Sequence, residues 1–76
     1  MQELVEFLAK GLVDKPDEVR VERVEKDGAF VLELHVAPDD VGKVIGRQGR
    51  IARALRTIVR ASGARSNERA LLEIVG

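Results

Sequence analysis

Four residues near the middle of the chain carry the most specific chemistry in it: Gly46-Arg47-Gln48-Gly49. Two glycines separated by two long polar residues allow a sharp backbone turn and a close approach by another backbone. The residues after Gly49 read as a helix, whose first turn would supply unpaired N–H groups and a partial positive charge. Together these features suit a phosphate group. The spacing is too short for a P-loop, which needs four residues between its glycines followed by Lys and Ser or Thr. The third glycine and the strand-then-helix setting of a dinucleotide fingerprint are also missing.

The charge pattern around the loop points the same way. From Val41 to Asn67 there are seven basic residues (Lys43, Arg47, Arg50, Arg53, Arg56, Arg60, Arg65) and no acid, whereas the remainder holds six basic residues against all 13 acids. A net charge of zero therefore conceals a basic third and an acidic remainder, a pattern expected of a polyanion-binding surface. A solvated basic helix face would produce the same run, so charge alone leaves both readings open. Other chemistry has little to stand on. There is no cysteine, His35 is the only histidine, and there are no tyrosines or tryptophans. Phe7 and Phe30 are expected in the core, so the aromatic stacking platforms of other nucleic-acid folds are absent. Asp39-Asp40 reads as helix capping rather than a metal site, and neither a cofactor nor an enzymatic constellation is implied.

The elements that must position the loop follow from periodicity. Leu4, Val5, Leu8 and Leu12 recur at helical spacing, predicting a helix over about 2–11 with Gly11 as a left-handed cap. The segment 18–22 alternates as a strand, and Val24 falls out of its phase, predicting a bulge or an early end. Asp27-Gly28 signals a tight hairpin. The next strand, about 29–37, places Phe30, Leu32, Leu34 and Val36 on one face and Glu33 and His35 on the other. Pro38-Asp39-Asp40 starts a short helix over about 39–45, with both aspartates expected to accept from its first N–H groups. A second helix over about 50–61 places Ile51, Leu55, Ile58 and Val59 within a roughly 100° arc and Arg50, Arg53, Arg56 and Arg60 on the opposite side. Ser62-Gly63 should end it, and 69–75 reads as the last strand. The order α-β-β-α-α-β predicts an α+β fold: a three-stranded mixed sheet, helices on one face, the third strand beside the second. A chain of 76 residues reads as one domain, 1–76. The absence of a secretion signal or a long apolar run gives a cytoplasmic expectation with no membrane association.

Val44-Ile45-Gly46-Arg47-Gln48-Gly49-Arg50 resembles the core motif of KH domains, in which a GxxG loop clamps a nucleic-acid backbone. The element order matches the bacterial, type II arrangement. Over essentially its whole length the chain is similar to the small single-KH proteins of the KhpA-like family. The resemblance implies a non-catalytic, single-stranded RNA-binding protein acting as an RNA chaperone or post-transcriptional regulator. It also implies pairing, as a homodimer or a heterodimer with a larger KH-containing protein. Residue by residue, it implies that Gly46 and Gly49 shape the loop and that Arg47 and Gln48 face the sugar-phosphate backbone. Lys43, Arg50 and Arg53 become flanking cations, and Val44 and Ile45 line an apolar groove with the last strand. Arg56, Arg60 and Arg65 read as general electrostatics. Ala52 stands where many KH domains carry a branched apolar residue, which asks Ile51 and Leu55 to fill more of the core. The alternative from a different class is a protein-interaction subunit whose basic helix docks an acidic partner.

Overall fold

The structure, a computed structural model, describes residues 1–76. Its elements are helix α1 (Gln2–Lys10), strands β1 (Arg20–Lys26) and β2 (Ala29–His35), helices α2 (Val41–Ile45) and α3 (Arg50–Arg65), and strand β3 (Arg69–Val75). The sheet order is β1-β2-β3, with β1 antiparallel and β3 parallel to β2. This is the α+β, α-β-β-α-α-β architecture expected from the sequence, with one sheet face under the helices and the other open.

The β1–β2 turn follows directly from its residues. Asp27 and Gly28 both have positive φ (44° and 78°), the mirror-image turn geometry that matches strand twist. Pairing runs without interruption from Arg20↔His35 to Lys26↔Ala29, so the expected bulge at Val24 does not form. Val24 is out of phase with Val21, but the strand runs on without interruption: Val24 lies on the open face opposite Val31, whereas Val21 lies opposite Leu34 on the helix-covered face. Phe30, Leu32 and Leu34 are buried, as their alternation requires, and Val36 is buried just beyond the strand, its N–H donating to the Val75 carbonyl.

Three expectations about the helices need correction. Gly11 closes α1 in a right-handed conformation (φ −74°), so it is not a left-handed cap. The stripe that α1 buries is Val5 and Ala9, and Phe7 stands 74% exposed rather than in the core. Helix α3 also does not stop at Ser62-Gly63. It continues to Arg65 and closes with Asn67 in the left-handed region (φ 56°), where the N–H groups of Glu68 and Asn67 donate to the carbonyls of Gly63 and Ala64. This is a Schellman cap with asparagine in place of glycine.

The face that α3 buries consists of Ala52, Leu55, Val59 and Gly63. It is displaced from the arc predicted by the bulky side chains because small residues permit the closest approach to the sheet. A Cβ on Gly63 would come within 2.5 Å of the Ala70 Cβ and 2.8 Å of the Glu68 carbonyl oxygen. Ile51 and Ile58 are consequently half-buried at the side of the helix facing α1, and Arg56 and Arg60 border β3. Replacing Gly63 by alanine should raise helix propensity by about 1 kcal/mol. Overpacking against backbone atoms costs about 1–3 kcal/mol and should outweigh that gain. Urea unfolding of Gly63→Ala is expected to show net destabilisation; a more stable variant would mean that α3 does not lie this close to β3.

Candidate nucleic-acid interface

The chain between α2 and α3 turns within four residues. Gly46 has φ 77° and ψ 173°, Gln48 φ 57°, and Gly49 φ 72°. Glycine is required at the first of these for two reasons: the conformation disfavours a side chain, and a Cβ there would lie 2.7 Å from Ile51 Cγ1. A Cβ on Gly49 would meet nothing within 4 Å, so its requirement is conformational alone. The N–H of Gly49 donates to the carbonyl of Gly46 (3.1 Å), and Arg53 Nη2 donates to the Gln48 carbonyl (2.6 Å), bracing the turn from the next helical turn. Arg47 and Gln48 are exposed at the tip. No side chain caps the N-terminus of α3, so the positive end of a 16-residue helix faces outward beside them.

Of the seven cations between Lys43 and Arg65, only Lys43 is paired with a carboxylate. Arg47, Arg50, Arg56, Arg60 and Arg65 are exposed and make no ion pair. Arg56 and Arg60 face Leu71 and Leu72 across a shallow groove between α3 and β3. The arrangement combines a backbone turn open to phosphate, a helix N-terminus, a strip of free guanidinium groups, and an edge strand with apolar side chains.

The family model for the KhpA/KhpB KH domain matches residues 2–74 of the chain. The chain belongs to this family. It is 52% identical over 75 residues to the RNA-binding protein KhpA of Clostridium perfringens, covering 99% of this chain and all of the relative. It is 53% identical over 73 residues to KhpA of Borreliella burgdorferi (96% and 89% of the two chains) and 52% identical over 75 residues to KhpA of Aquifex aeolicus (99% and 95%). No solved structure matches the chain. The relatives' shared name is that of RNA-binding proteins, and the family is not one of enzymes.

Within this KH domain the residues singled out from sequence are placed as follows. Gly46, Arg47, Gln48, Gly49, Arg50 and Arg53 gather at the turn. Val44 is fully buried in the core, and Ile45 is 38% exposed, so only Ile45 offers an apolar side chain to the surface. Lys43 is held away from the turn by Asp14 and by Asp40 (3.6 Å). Its ammonium is kept above its ordinary pKa by the hydrogen bond to Asp14, with partial desolvation opposing and the charges of Asp14 and Asp40 assisting. Arg56 and Arg60, read from sequence as general electrostatics, border the groove between α3 and β3, because Ala52 and Gly63 rather than the isoleucines lie on the buried face of α3.

Asp40 also departs from expectation. It caps no N–H of α2. Buried to 1% exposure, its carboxylate accepts from the backbone N–H groups of Asp14 (3.3 Å) and Lys15 (3.0 Å), tying the α1–β1 loop to the start of α2. Burial alone pushes the Asp40 carboxyl up, but those two N–H groups and the Lys43 ammonium together hold it below its ordinary value. A carboxyl lowered in the folded state contributes stability that is fully present above its unfolded pKa near 3.8 and is lost as pH falls through the folded value. Asp40→Asn should therefore lower the urea midpoint at pH 7, and its stability should fall less steeply than that of the parent chain below pH 4. Parallel acid limbs for the two proteins would show that Asp40 ionisation does not hold the loop.

Proposed function

We propose that this chain binds single-stranded RNA by its sugar-phosphate backbone at Gly46–Gly49, as a non-catalytic single KH domain working as an RNA chaperone or post-transcriptional regulator in the cytoplasm. The observation that carries the reading is the exposed Arg47-Gln48 tip, set between two positive-φ glycines over the uncapped N-terminus of α3. The names of the relatives support RNA as the ligand class. In this reading Gly46 and Gly49 let the phosphate approach, Arg47, Gln48 and Arg50 meet it, and Arg53 meets it while bracing the turn. Val44 supports the turn from beneath, and the exposed Ile45 offers apolar surface for unpaired bases. Lys43 contributes its field from the Asp14–Asp40 network. Arg56 and Arg60 extend the phosphate track along the groove.

A clamp that covers about four nucleotides binds weakly by itself, and linking two clamps raises affinity without new contacts. The reading therefore includes pairing, as a homodimer or with a larger KH-containing protein. Exposed apolar surface around α1 supports it: Leu4 on α1 and Leu12 just beyond its end line a trough with the half-buried Ile51 and Ile58 of α3, and Phe7 on α1 is exposed as well. Sedimentation velocity should show a species of twice the chain mass that Phe7→Glu disperses, or a KH-containing protein should co-purify and be lost with the same change. A strict monomer at high concentration with no such partner removes the pairing.

Replacing Arg47 and Gln48 together by aspartate keeps both glycines and changes only exposed positions, where stability shifts by less than about half a kcal/mol. Carboxylates would then stand where phosphates must sit. Affinity for an unstructured oligoribonucleotide should fall at least tenfold, about 1.4 kcal/mol, whereas Lys26→Asp at the distant hairpin should change it far less. With three or four phosphates neutralised, the log–log salt slope should be about −2 to −3. A folded double variant that binds RNA like the parent places the site elsewhere. An acidic polypeptide that binds as tightly as RNA would favour the alternative, a basic helix docking an acidic partner.

A further inference from the structure

The sheet face turned away from the helices carries a second group of side chains with binding chemistry, unrelated to the RNA clamp. Glu22, Glu33 and Glu73 stand directly opposite one another across all three strands, and the neighbouring row is Arg20, His35 and Val75. Like charges directly opposite destabilise a sheet. The one cation answering this row is Arg20, whose Nε lies 3.0 Å from Glu22 Oε1; Glu73 has no ion-pair partner.

The distances within the group are informative. His35 Nε2 lies 3.4 Å from Glu33 Oε1 and 3.8 Å from Glu22 Oε2, and the three ligand atoms are all within 4.8 Å of one another. The 3.4 Å contact is a long hydrogen bond, outside the common range of about 2.7–3.2 Å, and the 3.8 Å contact lies beyond hydrogen-bond reach. They approach the spacing imposed by a shared zinc ion: bonds of about 2.0–2.1 Å at tetrahedral angles put adjacent ligands roughly 3.3–3.4 Å apart. Both strands that present the ligands are paired along their whole length, so the positions are held by backbone rather than by loops. His35 and Glu33 are partly shielded, their side chains 24% and 29% exposed.

We infer that Glu22, Glu33 and His35 form a zinc-type divalent cation site on the open sheet face, with the fourth position left to water. Imidazole nitrogen together with carboxylate oxygen in a small, fourfold site favours Zn²⁺. Mg²⁺ demands six ligands, mostly oxygen, in near-ideal octahedral geometry. Glu73 lies close enough to add its negative field. A bound ion would neutralise the like-charge row and cross-link β1 to β2.

The test is calorimetric titration of the chelator-treated full chain with ZnCl₂, alongside NMR of the His35 imidazole. One ion per chain with micromolar affinity is expected, with the His35 ring resonances shifted. His35→Asn and Glu33→Gln should each weaken binding at least tenfold, and Glu3→Gln, on α1 across the sheet from the group, should leave it unchanged. Excess Mg²⁺ should not compete. Absence of saturable binding, unshifted His35 resonances in the parent chain, or equal affinity in folded His35→Asn would each overturn the inference.

Discussion

The structure depends on the chain reversing between α2 and α3 through three positive-φ residues out of four, Gly46, Gln48 and Gly49. An L-residue with a Cβ resists this conformation by about 1–2 kcal/mol, so two of the three are glycine and the third is a long polar residue that turns outward. At Gly46 the missing side chain also makes room for Ile51, which lets α3 begin directly against the end of α2. The other end of α3 is fixed by a second missing side chain, at Gly63 over Ala70. The long helix is thus located at both ends by glycines, and the exposed tip residues Arg47 and Gln48 are consequences of that placement.

Charge separation in the sequence becomes a division of surfaces in the fold. The cations after Gly46 remain without carboxylate partners along the turn and α3, and several acids are committed elsewhere. Asp14 and Asp40 hold Lys43, and Asp40 pins the preceding loop. Glu25 and Glu68 flank Arg23, whose guanidinium lies 3.9 Å from the centre of the Phe30 ring and shields the end of the core. The glutamate row occupies the open sheet face. A polyanion approaching the turn therefore meets cations that need not be released from internal ion pairs, and the acidic sheet face directs it away from the other side.

Much of the architecture was legible because it rests on local rules. Strand alternation placed Phe30, Leu32 and Leu34, the Asp27-Gly28 pair marked its hairpin, and two glycines around Arg47-Gln48 marked the turn. What was hidden depends on partners far along the chain. Asp40 looks like a cap until the loop 25 residues earlier folds onto it, and Lys43 looks like a free cation until Asp14 arrives beside it. Phe7 looks like core by hydrophobicity, yet α1 rests on the sheet through Val5 and Ala9 because smaller side chains bring the layers closer. The same preference for small contacts rotated α3 away from the arc predicted by its isoleucines and moved Arg56 and Arg60 to the groove.

The central claim, that RNA is held at the turn between α2 and α3, is tested most directly by titrating the ¹⁵N-labelled chain with a short unstructured oligoribonucleotide and following backbone amide resonances. The largest shifts should fall on Ile45 to Arg50 and continue along Arg53, Arg56 and Arg60, with Glu22 and Val24 on the open sheet face unmoved. Shifts concentrated on the sheet face or on α1, with Gly46 to Gly49 unaffected, would contradict it.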